Sequence, residues 1–327
     1  MLYLHGMGHY HPENILTNDF LTGLDIGTDD EWIMERTGIK NRRTSLSLDY
    51  IKTTKNRDPR AASEASHVTR AESGKKAATM ALERAEVSPV DIGWVISGTS
   101  TPECTIPAES AIMAAELNID APCLDINSAC STFLVQLAFI ARMRPEATPS
   151  YILIINPENY THVVDYSDRS VAPIFGDGCS AAVVSAIVPS NKLFERFHND
   201  SDPSAWSRIK IPRSGHFTQE GRIVQGFAIR TATRALKNLM AAYDGENKQI
   251  KFIGHQANRL MLNHVCERCG IEDENHWYNV TDHGNTGASS APSVLSQNWN
   301  NINSGDHIAM VVVGAGLTWA EAMLKIT

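Results

Sequence analysis

Short apolar runs alternate along the chain with segments of helical periodicity, a pattern typical of an α/β protein. One helical segment, residues 133–140, is apolar on nearly every side and therefore predicts a buried helix. The predicted strands span residues 2–7, 92–97, 122–126, 151–155, 250–253, 277–280 and 307–313. The predicted helices span residues 71–85, 107–117, 133–140 and 226–243, and two more end near residues 270 and 299.

The order of these elements repeats along the chain. Strand, loop, helix, strand, turn and helix follow one another in residues 92–140 and again in residues 250–299. A repeat of this length indicates a duplicated fold with a pseudo-twofold axis rather than a solenoid. We therefore expect two similar halves, residues 1–189 and 204–327, joined by a polar and irregular segment over residues 190–210.

Capping residues mark the ends of the shorter elements. Asn18 is expected to cap a short helix, and Asp29 or Asp30 to cap a second one that ends at Gly38. Residues 45–70 are polar and mixed in charge, so we predict a long loop there. A loop of that length is either functional or a tolerated surface insertion.

Cys130 lies where a predicted strand passes into the buried helix, with the small residues Ser128 and Ala129 before it. A thiol at a helix N-terminus faces free backbone N–H groups and the positive end of the helix dipole. Both effects favour the thiolate, so we expect the pKa of Cys130 to fall below its usual value of roughly 8.5. The alternative is a small buried apolar cysteine without a chemical role.

The duplication brings two further polar residues towards Cys130. Asn285 occupies the strand-to-helix turn of the second half that matches the turn of Cys130, and His255 lies on the neighbouring turn. A cysteine beside a histidine and an amide is a nucleophile arrangement. Two chemistries fit the residues. One is a papain-like hydrolase, and the other is a decarboxylating condensing enzyme whose His and Asn stabilise an enolate.

Composition narrows the class of protein. The net charge of −8 over 327 residues argues against nucleic acid as a partner, and the 43% hydrophobic content suits a soluble globular chain. No dense disulfide framework is visible among the six cysteines, so reduced thiols in a cytoplasm are expected. We also expect no secretory signal at the N-terminus and no membrane span.

Two motifs invite other chemistry, and we interpret both as structural. Cys266 and Cys269 form a lone C-x-x-C pair on an amphipathic helix, so no metal site is predicted there or elsewhere. The IFGDG segment, residues 174–178, lacks the following Lys-Ser/Thr of a phosphate loop. Its small residues are expected to allow close backbone packing.

Six motifs spread over nearly the whole chain resemble those of the 3-oxoacyl-acyl-carrier-protein synthase III family, within the thiolase-like condensing enzymes. They are DEWIMERTGI, the Cys130 helix, IFGDG, GHQAN, HGNTGAS and the terminal GAGLTW. The resemblance implies a thiolase-like, five-layered αβαβα fold that is internally duplicated and usually forms a homodimer. It also implies coenzyme A thioesters as substrates, an acyl carrier protein as a partner, and no cofactor.

The resemblance also implies roles for individual residues. Cys130 matches the acyl-accepting nucleophile, and His255 and Asn285 match the residues that stabilise the enolate. The oxyanion hole resembles one made by the backbone N–H groups of Cys130 and Ala315. The other matched positions are Trp32, Arg36, Arg169, Arg222, Ala257 and Asn258 for coenzyme A, Ile106 and Val313 for the acyl pocket, and Arg259 and Arg268 for carrier-protein docking.

Several positions depart from the family pattern at the edges of the site. Ala315 replaces a glycine, Arg222 replaces an asparagine, and Glu267 stands among basic docking residues. Ile106 and Val313 replace large aromatics of the acyl channel. A wider channel would follow, so we expect a primer of medium or longer chain.

The expected function is decarboxylative Claisen condensation of an acyl-CoA primer with a malonyl thioester, as in the initiation of fatty-acid synthesis. One alternative is a secondary-metabolite ketosynthase of the same family, of polyketide, alkylresorcinol or quinolone type, with a longer acyl or β-ketoacyl partner. Another is a catalytically silent scaffold subunit.

Overall fold

A computed structural model describes residues 1–243 and 249–327. Five residues of the predicted second half, 244–248, lie outside the described residues. The helices of the described residues are α1 (Asn18–Thr22), α2 (Asp30–Thr37), α3 (Leu48–Thr54), α4 (Arg70–Ala85), α5 (Glu109–Glu116), α6 (Thr132–Ala141), α7 (Gly221–Ala241), α8 (Arg259–Cys269), α9 (Val280–His283) and α10 (Ser290–Gln297). The strands are β1 (Leu2–Tyr10), β2 (Asn14–Thr17), β3 (Asn41–Thr44), β4 (Ile92–Ser97), β5 (Cys123–Asp125), β6 (Tyr151–Asn159), β7 (Asp177–Ser185), β8 (Lys192–Ser201), β9 (Ile209–Lys210), β10 (Thr218–Gln219), β11 (Ile250–Gly254), β12 (His307–Gly314) and β13 (Thr318–Ile326).

A nine-stranded sheet with the order β11-β12-β13-β8-β1-β7-β6-β4-β5 runs through the molecule. Its two halves repeat the same pairing, since β1-β7-β6-β4 and β8-β13-β12-β11 each combine antiparallel neighbours with one parallel pair. The halves meet where β1 pairs with β8 over only two residues, Leu2 and Tyr3. The internal duplication that the sequence predicted is therefore visible in the topology.

Three helical layers enclose the two half-sheets and complete the thiolase-like αβαβα fold. Helices α6 and α10 pack between the half-sheets, α4 and α5 cover the outer face of the first, and α7 and α8 cover the second. Alternation along β6 shows how the sequence divides the layers. Ile152 and Ile154 face the middle layer, whereas Leu153 and Ile155 face the outer one.

Most predicted elements are present, and the cap at Asp29 and the end at Gly38 are confirmed. The cap of α1 is Thr17, not Asn18, because the Thr17 hydroxyl accepts a hydrogen bond from the backbone N–H of Phe20. Asn18 is instead buried, and its amide binds Asp30 and the carbonyl of Ile39.

The predicted irregular joint over residues 190–210 is wrong, because β8, a 3₁₀ helix (Pro203–Arg208) and β9 occupy it. Arg196 adopts a left-handed φ of 58° in the middle of β8, where the register with β13 shifts. Such a bulge interrupts the apolar alternation and hides the strand from a pattern search. The last predicted strand ends at residue 313, so β13, which begins within the GAGLTW motif, was not predicted.

The predicted strand at residues 277–280 is wrong as well. The chain forms only an isolated bridge between His276 and Phe252 there, and α9 begins at Val280. Topologically this bridge takes the place that β5 takes in the first half, so the repeat is present but reduced. The division into units 1–189 and 204–327 stays a prediction, because β8 pairs with both half-sheets.

Residues 45–70 are not a loop, since they contain α3 and a short 3₁₀ helix, Pro59–Ala61. The segment is fixed by Asn56, which is fully buried. Its side-chain amide donates hydrogen bonds to the carbonyls of Thr161, His162 and Val164, at 3.3, 2.9 and 2.9 Å. The segment therefore supports the turn that follows β6. None of the helices within the described residues is long and apolar enough to cross a membrane.

Candidate active site

The turn before α6 presents Cys130 through a strained backbone. Ala129 adopts a φ of 48°, which is uncommon for a residue with a side chain. The Asn127 side-chain oxygen accepts from the Ala129 N–H at 2.9 Å, and the Thr132 hydroxyl accepts from the Ser128 N–H at 2.7 Å. These bonds hold the turn and fix the position of Cys130.

Asn285 is held against the IFGDG segment by two backbone hydrogen bonds. Its N–H donates to the carbonyl of Ile174 at 2.9 Å, and its carbonyl accepts from Gly176 at 3.1 Å. Gly176 has to be glycine because a Cβ there would collide with the carbonyl of His283. The packing role expected for IFGDG is therefore seen, and it serves to position Asn285.

His255 follows β11 and faces the same cavity as Cys130. Burial lowers the pKa of His255 to about 4, so the imidazole is neutral near pH 7. Its Nδ1 atom has no hydrogen-bond partner among the described residues. A neutral ring can donate one hydrogen bond to a bound oxygen.

Cys130, His255 and Asn285 all line one cavity of about 970 Å³. The GAG turn, residues 314–316, forms part of its wall, with Val313 beside it. A Cβ at Gly314 would lie only 3.1 Å from the backbone nitrogen of Cys130, so the turn packs directly on the nucleophile. Ala315 is the next residue in this turn and also lines the cavity.

The expected lowering of the Cys130 pKa is wrong. Burial raises the pKa of Cys130 to about 12, and the Glu158 carboxylate adds to the effect, while the Tyr160 hydroxyl and a backbone N–H oppose it. The thiol is surrounded by protein even though the residue remains partly accessible from the cavity. Because α6 begins at Thr132, two residues later, Cys130 does not sit in its first turn.

Trp32 lies between two arginines at another part of the cavity. The Arg36 guanidinium is 4.4 Å from the centre of the indole ring, and that of Arg169 is 5.3 Å away. Arg169 is anchored by a 2.9 Å hydrogen bond to the carbonyl of Gly27. The structure therefore brings the three residues together as a flat aromatic surface with two cations, which suits a nucleotide.

The remaining residues predicted to bind coenzyme A also line the cavity, namely Arg222, Ala257 and Asn258. Asn258, however, is used structurally. Its oxygen caps α8 by accepting from the N–H groups of Leu260 and Met261, and its nitrogen donates to the carbonyl of Arg36 at 2.8 Å.

The acyl side of the cavity contains aromatic residues that sequence reasoning missed. Tyr160 and Phe175 stack with ring centres 4.8 Å apart, and Phe217 lies 4.5 Å from Phe175. All three line the cavity together with Val313. The three rings pack in one hydrophobic cluster, whereas Val313 packs in another with α7 and α8. The preference for a medium or longer primer stays a prediction.

Ile106 is not among the residues that line the cavity, and it is 83% exposed. Its predicted contact lies across a dimer, so that role stays a prediction. Of the predicted docking residues, Arg268 is exposed on α8. Arg259 is engaged elsewhere, because it contacts Nδ1 of His276 at 2.8 Å and lies 3.6 Å from the centre of the Tyr278 ring.

Glu158 is a second residue that the sequence did not reveal. It is fully buried at the end of β6, and it accepts hydrogen bonds from the Thr99 hydroxyl and from the N–H groups of Ser100 and Ala288. Burial raises the pKa of this carboxyl to about 7. The predicted strand ends at Ile155, whereas β6 continues through polar residues to Asn159.

Metal ligands are not clustered in residues 1–243 and 249–327, where no group of three His, Cys, Asp or Glu side chains could hold an ion. Asp177 of the IFGDG segment is instead bound by the hydroxyls of Ser45 and Thr161, both at 2.6 Å. It therefore supports the buried packing behind the site.

Comparison with known proteins decides the family. Residues 124–203 match the family model of 3-oxoacyl-[acyl-carrier-protein] synthase III, and residues 241–326 match its C-terminal model. The chain is 30% identical to the β-ketoacyl-[acyl-carrier-protein] synthase III of Sulfurovum sp. (strain NBC37-1), over 97% of this chain and 94% of that protein. The chain belongs to the 3-oxoacyl-acyl-carrier-protein synthase III family.

Solved structures agree with this assignment. The synthase III of Aquifex aeolicus VF5 superposes with a TM-score of 0.88 at 28% identity, covering 99% of this chain and 100% of that one. The priming β-ketosynthase of the R1128 polyketide biosynthetic pathway superposes with a TM-score of 0.83 at 26% identity, covering 100% of this chain and 96% of that one. The chain is accordingly a condensing acyltransferase of fatty-acid initiation, and the scaffold alternative is set aside.

Proposed function

We propose that the enzyme loads an acyl group from an acyl-CoA primer onto Cys130 and condenses it with a malonyl thioester. The observation that supports this most is the shared cavity. It holds Cys130, His255 and Asn285 together with the surface formed by Trp32 and Arg169. A long thioester could therefore bind its nucleotide at the arginines and present its carbonyl to the thiol.

In the loading step, the Cys130 sulfur attacks the primer carbonyl and the coenzyme A thiol leaves with the cysteine proton. The negative charge on the tetrahedral oxygen would be bound by the backbone N–H groups of Cys130 and Ala315. The close approach of Gly314 to the Cys130 nitrogen supports this pair, because Ala315 is the next residue in the same turn.

In the condensation step, the malonyl thioester loses carbon dioxide and its α-carbon attacks the carbonyl of the acyl-enzyme. The bond between the acyl carbon and the Cys130 sulfur then breaks, and the thiolate leaves and takes up a proton. The enolate oxygen formed on decarboxylation would accept hydrogen bonds from His255 and from the Asn285 amide nitrogen. Both side chains are suited to donate, since His255 is neutral and the Asn285 oxygen is already occupied by the Gly287 N–H at 2.9 Å. No cofactor enters this scheme.

The proposed partners are a carrier protein that delivers the malonyl group and a second copy of the chain. Arg268 on α8 supports the first, because an exposed cation can pair with an acidic carrier. The outer edge of β5, which is unpaired among the described residues, supports the second. Phe139 of α6, which is 44% exposed, supplies apolar surface elsewhere. Light scattering at micromolar concentration would measure the mass of the assembly.

A cytoplasmic location is also proposed. All six cysteines are free, and two of them, Cys266 and Cys269, lie close in sequence without forming a bond. Reduced thiols are the normal state in the cytoplasm.

Three variants test the reaction. Cys130→Ser should lose acyl loading and condensation together, because a hydroxyl there lacks a strong base. His255→Ala and Asn285→Ala should still load acyl groups but should lose decarboxylation by on the order of 10²–10³. Intact-protein mass spectrometry reports loading, and carbon dioxide release reports decarboxylation. Acylation of Cys130→Ser would contradict the nucleophile, and wild-type condensation by Asn285→Ala would contradict its role.

A secondary-metabolite ketosynthase remains the second candidate. The similarity to the R1128 priming enzyme favours it, as does the aromatic acyl side with its tyrosine hydroxyl. Both candidates share the chemistry at Cys130 and differ in the primer, so loading rates over a panel of acyl-CoA primers distinguish them.

A further inference from the structure

Two hydroxyl groups lie beside the nucleophile on the acyl side of the cavity. Tyr160 contacts the Cys130 thiol, and the Ser100 side chain lies next to the Tyr160 hydroxyl. Ser100, Tyr160 and Cys130 all line the cavity. The Ser100 hydroxyl oxygen is buried and has no partner of normal hydrogen-bond geometry among the described residues. This part of the site therefore has unused hydrogen-bonding capacity.

Both hydroxyls are held in place from behind. The Ser100 N–H donates to the Glu158 carboxylate at 3.0 Å, so the backbone of Ser100 is fixed. The Tyr160 ring is fixed by stacking on Phe175 and by close contact with Gly287, where a Cβ would collide with it. The two groups are consequently preorganised and do not depend on a substrate for their position.

An acyl group with a plain alkyl chain would gain no binding free energy from these hydroxyls, because it cannot hydrogen-bond to them. A buried hydroxyl that is covered by hydrocarbon and left unpaired loses its hydrogen bonds to water, which costs binding free energy. A site built to hydrogen-bond a substrate oxygen discriminates strongly against the analogue that lacks it. The rings of Tyr160, Phe175 and Phe217 pack against one another in the wall of the same cavity, which favours a short acyl group in the proposal below.

We propose that the acyl site selects a short, uncharged primer that carries a hydroxyl or keto oxygen near its thioester, bound by Tyr160 and Ser100. This inference rests on the proposed function, because it names the primer of the same loading step. An uncharged group fits better than a carboxylate. The Glu158 carboxyl accepts from the Ser100 N–H and lies near the Tyr160 ring at Gly287, and in its ionised form it would repel a second negative charge.

The test compares matched primers of equal length. Butyryl-CoA, 3-hydroxybutyryl-CoA and acetoacetyl-CoA are each incubated with the full-length enzyme, and acylation of Cys130 is followed by intact-protein mass spectrometry. We expect the wild type to load an oxygenated primer at least about tenfold faster than butyryl-CoA, as one to two hydrogen bonds would give.

Two variants assign the preference to its residues. Tyr160→Phe keeps the ring stacking and removes one hydroxyl, and Ser100→Ala removes the other. Each should lower the ratio of oxygenated to alkyl loading several-fold. The ratio is taken within each variant, because removal of the Tyr160 hydroxyl also changes the reactivity of Cys130 towards every primer. Tyr151→Phe is the matched control, because Tyr151 packs on His5 and does not line the cavity.

The outcomes separate this inference from the reaction itself. A wild type that loads butyryl-CoA as fast as both oxygenated primers overturns the primer class and leaves the condensation intact. A ratio unchanged in both variants overturns the role of the two hydroxyls. Absence of loading with every primer overturns the proposed function together with the inference.

Discussion

The side-chain oxygen of Asn285 accepts a 2.9 Å hydrogen bond from the backbone N–H of Gly287. This bond fixes which end of the amide faces the cavity, since only the nitrogen is left to donate. Gly287 adopts a φ of 58°, and a Cβ there would lie 2.9 Å from Glu158 and collide with Tyr160. Gly287 thus orients the Asn285 amide, and its lack of a side chain leaves room for Glu158 and Tyr160.

Asn285→Asp tests this orientation. The aspartate keeps the oxygen that binds Gly287 and replaces the donor with a second oxygen, so it cannot stabilise an enolate. We expect loading of Cys130 to persist and decarboxylation to fall by on the order of 10²–10³. Carbon dioxide release from a malonyl thioester measures this. Asn285→Gln serves as a comparison that retains a donor, and an aspartate variant as active as the wild type would contradict the assignment.

Glu158→Gln tests the electrostatics of the nucleophile. The Glu158 carboxylate helps to raise the pKa of the Cys130 thiol, so a neutral amide should lower that pKa and increase the thiolate fraction. We expect faster alkylation of Cys130 by iodoacetamide at pH 8 in the variant. Peptide mapping measures the rate, with the exposed Cys104 as the internal control. An equal or slower rate at Cys130 would show that the carboxylate has no such effect.

Phe217→Ala tests whether the aromatic cluster limits primer length. Removal of the ring should open the acyl side and move the preference towards longer chains. Each further buried methylene contributes about 0.8 kcal/mol, or roughly fourfold in rate. Loading rates from acetyl- to dodecanoyl-CoA measure the shift. Phe197→Ala makes the same truncation away from the cavity and should leave the chain-length profile unchanged.

Ile106→Phe tests the predicted contact across a dimer. If Ile106 closes the acyl channel of the partner, the larger ring should shorten the preferred chain. The same primer series measures this, with the assembly state checked by light scattering. A dimeric variant with an unchanged profile would show that the exposed Ile106 does not reach a neighbouring cavity.

Acidification should destabilise the fold. Burial lowers the pKa of His9, His255, His276 and His283 to about 4, well below the usual 6.5. Between pH 6.5 and 4 the unfolded chain binds protons that the folded chain does not, so the free energy of unfolding falls as the pH drops. Glu158 has the opposite effect on the free energy of unfolding. Its pKa is raised to about 7 in the folded chain, so its contribution to stability is lost as the pH rises from 4.5 to 7.

Urea unfolding at pH 5, 6 and 7 measures the effect. His283→Asn removes one of these groups and should reduce the slope by up to about 1.4 kcal/mol per pH unit. His264→Asn on the exposed face of α8 is the control and should not change the slope. Stability that is equal in the wild type at pH 5 and 7 would contradict the prediction.

The fold class and the grouping of the central polar residues could be predicted from the sequence, because both follow from patterns that extend over many residues. Apolar periodicity located most strands and helices. The duplicated order of elements then placed Cys130, His255 and Asn285 together, as the cavity shows. Trp32 and Arg169 also lie close together in the structure, although only the family resemblance, and not spacing, pointed to them.

What the sequence could not predict depends on tertiary contacts. The bulge at Arg196 concealed β8, and the buried end of β6 concealed Glu158 in a segment of polar residues. The pKa of Cys130 was misjudged because desolvation and a distant carboxylate outweigh the local helix effect. Tyr160 offered only one weak signal, an aromatic residue soon after a buried strand.

Asn56 ties the segment between β3 and α4 to the three carbonyls that follow Tyr160. That segment cannot be exchanged as an independent surface module, because a shorter graft from a relative would remove the amide and release the backbone beside the nucleophile. We therefore expect the length of this segment and the residues of the acyl pocket to change together among related enzymes. Engineering of primer choice in this enzyme would have to transplant both at once.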